Sequence, residues 1–135
     1  MRVVQWSEAL SVGNGQMDAD HRELFGLLER LRLAVQENQP EPLRVEILGE
    51  LVRFSEKHFR LEELLMARAQ FPDQALHRAE HEKLLAQIRE LYAKVSKGDL
   101  PLSLSVFQFL YGWLARHIEV KDKVLASTLP PHAPD

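Results

Sequence analysis

Four stretches of this 135-residue chain repeat apolar side chains every three or four positions, and that period constrains the fold more than any other feature. A spacing of three and four places side chains on one stripe of an α-helix, so each stretch reads as an amphipathic helix with one face turned to a core. The first covers about residues 18–37, with His21, Leu24, Leu28, Leu31 and Val35 in line. The second covers about 42–69 and aligns Ile47, Leu51, Phe54, His58, Glu62 and Leu65. The third covers about 73–96 and aligns His77, His81, Leu84, Ile88, Leu91 and Val95. The fourth, about 101–126, aligns Leu102, Val106, Phe109, Trp113, His117, Val120 and Val124.

The segments "NQPEP", "QFPD" and "KGDLP" break the pattern. Pro72 suits a helix first turn and Gly98 a C-terminal cap. Loops this short join antiparallel neighbours, so the expected fold is all-α, an up-down-up-down antiparallel four-helix bundle. The chain reads as a single domain over residues 1–135. Residues 1–17 form an N-terminal arm in which Trp6 could anchor to the bundle, 18–126 form the bundle, and the proline-rich 127–135 form a tail.

Composition narrows the function classes. A net charge of −3 with dispersed Lys and Arg gives no basic face for nucleic acid. The absence of cysteine removes disulfides, thiolate zinc sites and thiol nucleophiles. The uncharged run 100–115 contains proline, serines, glutamine and glycine and falls short of the roughly 20 apolar residues of a membrane span. The N-terminus lacks the apolar core of a signal peptide, so a cytoplasmic location is expected. A monomer is the simplest assembly.

Five histidines stand on the inward stripes, and that is unusual. His58 with Glu62, and His77 with His81, are i,i+4 pairs on one helix face. His21 falls near the start of the first helix, His58 late in the second, His77 and His81 early in the third and His117 late in the fourth. In an up-down bundle these places share one end and one level. Five imidazoles and a carboxylate in a dry core need partners, and a cation satisfies them together. Asp122 lies five residues after His117 and could reach the same centre. Glu63 is about 100° round from Glu62 and reads as a solvated surface charge. Trp113 and Phe59 read first as core.

This donor set exceeds the four ligands of one tetrahedral zinc. Imidazole with carboxylate suits iron, copper, zinc or nickel, whereas calcium and magnesium prefer oxygen. If Glu62 and Asp122 each bridge two octahedral metals that also share an oxide or hydroxide, one coordination position remains open.

The order His21, "HFRLEE", "HRAEH", "WLARHIEVKDK", together with "VVQWSEALSVGNGQMDADHRELF", resembles hemerythrin, particularly its single-domain bacterial form, over roughly residues 4–126. The resemblance implies reversible O2 binding at two non-haem iron ions with an oxo or hydroxo bridge. Carried across, His77, His81 and His117 hold one iron, His21 and His58 the other, and Glu62 and Asp122 bridge them. The iron short of one histidine carries the open site. Leu24, Phe59, Trp113 and Leu114 line the O2 pocket. Asp20 departs from the family, whose bacterial members often have glutamine before the first histidine.

Two other readings belong to different classes. A di-iron oxidase or peroxidase would commonly carry Glu-x-x-His pairs on two helices, and this sequence has none at its inward histidines. A sensor of oxygen, redox state or nitric oxide would need an output domain, for which 135 residues leave no room, or a separate protein partner. The expectation is therefore an O2-binding protein rather than an enzyme.

Overall fold

The computed structural model describes residues 15–117, which form four helices and, among the described residues, no strand. They are α1 (Gly15–Gln36), α2 (Glu41–Ala69), α3 (Gln74–Ser96) and α4 (Leu104–Arg116). α1 packs along α2 and α4, and α2 along α3, giving the expected bundle. No helix of the described residues is long and apolar enough to cross a membrane.

The turns follow local chemistry. Gly98 closes α3 at φ +80°, and its N–H donates to Val95 O (3.1 Å) while Asp99 N–H donates to Lys94 O (2.9 Å). These bonds satisfy carbonyls that the last helical turn leaves open. Gln70 takes the same left-handed conformation after α2, at φ 52°, and Phe71 N–H donates to Met66 O (3.0 Å). Pro40 precedes α2 and Pro42 stands in its first turn, where a missing N–H costs no helical bond.

Two boundaries differ from the expectation. α1 already includes Gly15, at least three residues before the expected start near Asp18. Met17 explains the extension: it is fully buried against Leu65, Met66 and Phe71, and that packing outweighs the weak helix propensity of Gly15. α4 starts at Leu104 rather than near Pro101, because the Ser103 hydroxyl accepts from Val106 N–H (3.4 Å) and caps it.

The apolar stripes form one large core, including Leu24, Leu28, Leu31, Leu48, Leu51, Phe59, Ile88 and Leu110. Burying each such side chain contributes about 1.5–3 kcal/mol. The fourth stripe is rotated from its expected position. Phe107, Leu110, Trp113 and Leu114 turn inward, while Phe109 is 50% exposed. Two aromatic residues separated by one position cannot share a helix face, and Phe107 takes the inner one.

A second, smaller apolar cluster of Met17, Leu65, Met66 and Phe71 lies at one end. Along α1, His21 falls between Met17 of the small cluster and Leu24 of the large one; along α2, Glu62 falls between Leu65 and Phe59. The bundle thus carries a polar layer between two apolar ones.

Candidate metal centre

That layer contains His21, His58, Glu62, His77, His81 and His117, none more than 7% exposed. α1 supplies His21, α2 supplies His58 and Glu62, α3 supplies His77 and His81, and His117 follows the last residue of α4. The structure brings together every ligand expected from the sequence within the described residues. Asp122 lies outside them, as do Trp6 and the tail.

Glu62 organises the layer, and its two oxygens face different histidines. Oε1 lies 2.8 Å from His58 Nε2, whose own neighbour is His21 Nε2 at 3.2 Å. Oε2 lies 2.6 Å from His81 Nε2, 3.3 Å from His77 Nε2 and 3.6 Å from His117 Nε2. The donor atoms therefore form two groups that share one carboxylate. One is Glu62, His77, His81 and His117; the other is His21, His58 and Glu62; within each group the donors lie within 4.8 Å of one another. Convergence of ring nitrogens on both oxygens of a buried carboxylate fits metal binding, because neutral imidazole and carboxylate are both ligands and a cation offsets the cost of burying the charge.

The residues expected to line a ligand pocket are buried around this layer: Leu24, Phe59, Leu114 and Trp113. Phe59 stacks flat on His81, with ring centroids 4.1 Å apart, and meets His117 edge-on at 5.0 Å. Phe71 meets His77 edge-on from the smaller apolar cluster. Trp113 also borders a cleft of about 450 Å³ between α3 and α4, where Lys83, Gln87, Phe109, Arg116 and His117 also contribute. Its indole nitrogen is buried with no hydrogen-bond partner among the described residues.

Two carboxylates stand behind the histidines. Asp20 Oδ2 is 2.9 Å from His58 Nδ1, and Glu63 Oε2 is 3.3 Å from His81 Nδ1. Glu63 also accepts from Arg78 Nε (3.2 Å) and ties α2 to α3. The expectation that Glu63 is merely a solvated surface charge is therefore corrected. It faces away from the centre of the layer, as its angle requires, but the outer edge of His81 reaches it from the neighbouring helix. The legible signal was a carboxylate adjacent in sequence to an inward ligand, since that position borders the next helix.

An all-α bundle with a buried histidine–carboxylate layer of this kind defines a class of cation-binding proteins. The family model of the hemerythrin HHE cation binding domain matches residues 12–129. The chain belongs to the hemerythrin family. It is 33% identical to a bacteriohemerythrin of Ralstonia nicotianae over 135 residues, covering all of this chain and 95% of that protein. It is 26% identical to a bacteriohemerythrin of Methylococcus capsulatus over 130 residues, covering 96% and 98% of the two chains. The crystal structure of a wild-type hemerythrin superposes with a TM-score of 0.88 at 26% identity, covering 95% of this chain and 98% of that one.

Proposed function

We propose that the chain binds O2 reversibly at two non-haem iron ions, acting in storage, delivery or transport rather than as an enzyme. The division of Glu62 between two histidine groups carries this reading, since a carboxylate with each oxygen facing a different donor set suits a bridge between two metals. In this reading His21 and His58 would hold one iron, His77, His81 and His117 the other, and Glu62 and Asp122 would be shared between them. Two ferrous ions would supply the electrons that O2 takes on binding and returns on release.

The chain's own residues set the conditions. Five neutral imidazoles keep the charge of the donor set low. Leu24, Phe59 and Leu114, all essentially unexposed, limit water at the layer, and Trp113 stands on the α4 side where the cleft begins. Among the described residues this wall offers no general acid, and an apolar wall withholds protons from the site, which favours release over reduction. The resemblance to hemerythrin supplies O2 as the ligand, and the relatives named bacteriohemerythrin agree with it.

The test is an optical spectrum of iron-loaded protein under nitrogen, then air, then nitrogen again. Reversible binding returns the first spectrum. A spectrum that changes once and stays changed contradicts it. The cleft beside Trp113 and His117 favours a second reading, in which small reductants reach the centre and the protein acts as an oxidase or peroxidase. Sustained consumption of hydrogen peroxide with an added reductant would support that reading.

A further inference from the structure

Asp20 and His21 are consecutive on α1, so their side chains leave the helix about 100° apart. His21 turns into the polar layer, where its Nε2 lies 3.2 Å from His58 Nε2. Asp20 leaves to the side and reaches the opposite edge of the same His58 ring, with Oδ2 2.9 Å from Nδ1. His58 is fully buried and the Asp20 side chain 21% exposed, so the contact is largely shielded from solvent. One turn of α1 thus touches both nitrogens of an imidazole that α2 supplies.

An imidazole that binds through Nε2 carries its proton on Nδ1, and a carboxylate there fixes both tautomer and ring orientation. We propose that Asp20 is a positioning residue for the His21/His58 half of the centre: it accepts the Nδ1–H of His58, holds Nε2 toward Glu62 Oε1 and strengthens that nitrogen as a donor. The proposal rests on reading the layer as a metal centre. Glu63 makes the corresponding contact with His81, but at 3.3 Å and with Arg78 sharing its charge. Among the described residues no Lys or Arg engages Asp20, whereas Arg78 engages Glu63. The stronger of the two carboxylate–histidine pairs therefore belongs to the half with fewer histidines, where each donor carries more of the affinity.

Zinc(II) tests this without redox chemistry. The parent protein, Asp20→Asn, Asp20→Ala and, as a charge control, Glu23→Gln on the exposed side of α1 are stripped of metal and titrated with zinc(II) against a competing chelator. Helix content is checked by circular dichroism. Loss of a carboxylate behind a ligating histidine typically costs about 10–100-fold in metal affinity. Both Asp20 variants are expected to lose affinity in that range for one equivalent of zinc, and Glu23→Gln to match the parent. In the zinc-loaded parent the His58 Nδ1–H gives a deshielded, slowly exchanging nitrogen–proton NMR signal. That signal shifts in Asp20→Asn and exchanges faster in Asp20→Ala. A purely structural role for Asp20 would leave this signal in place. Unchanged zinc affinity in Asp20→Asn, or lost affinity with an unchanged His58 signal, overturns the proposal. Failure of the parent itself to bind zinc would instead overturn the metal-centre reading.

Discussion

Phe59 lies flat against His81, with their planes 3° from parallel and their centroids 4.1 Å apart. One face of a proposed iron ligand is thereby sealed by a side chain that belongs to the main apolar core. Phe59→Ala should cost about 3–5 kcal/mol in stability, the range for truncating a buried phenylalanine. It should also loosen the imidazole it supports. Chemical denaturation measures the first effect and metal retention during dialysis the second. Phe59→Leu, which keeps most of the volume, should lose less of both.

Leu114 is 1% exposed and stands one helical turn before His117. Leu114→Ala should destabilise by about 2–5 kcal/mol, less where the gap borders the pocket. Its functional effect should be larger. Water admitted to the centre makes the air-exposed, iron-loaded protein decay to the ferric spectrum faster, with iron content retained. The check is the decay rate in variant and parent at equal iron content; equal rates would mean that Leu114 does not guard the site.

Glu62→Gln keeps the shape of the side chain but removes the negative charge and one of two equivalent donor oxygens. The loss of one or both metals is expected. Glu63→Gln should have a smaller but measurable effect, because it weakens a contact behind His81 while leaving the amide oxygen to accept. Metal content of the two variants purified side by side decides the order, and equal losses would remove the distinction between ligand and supporting residue.

Bound metal stabilises the native state because the unfolded chain has no preassembled site. The metal-free protein should melt at a lower temperature than the loaded one. Protons compete with metal for the imidazole nitrogens, so affinity falls as pH falls, and the loaded protein should lose its metal and its extra stability together near pH 4. Coincident melting curves for the two forms at neutral pH would argue against a metal site.

The apolar period made most of the fold legible, because a three-and-four repeat over some twenty residues has no stable home but an amphipathic helix. The histidine layer was legible for the same reason: histidine on a leucine stripe is a polar group sent to a dry core, and His21, His58, His77, His81 and His117 are all buried there. What the period could not show was anything decided by a neighbouring helix. Phe109 and Phe107 compete for one face, and only packing into the shared core selects Phe107. Met17 extends α1 because a second apolar cluster awaits it. Glu63 and Asp20 sit off their own stripes, and their partners His81 and His58 come from other helices. Spacing within one helix carries no information about such contacts.

Metal analysis of the iron-reconstituted protein tests the central claim most directly. If each of the two donor groups sharing Glu62 holds an ion, close to two irons per chain are expected, and Glu62→Gln should reduce that number. A reproducible value close to one iron per chain, with the spectrum of an isolated ion, would contradict the bridged centre.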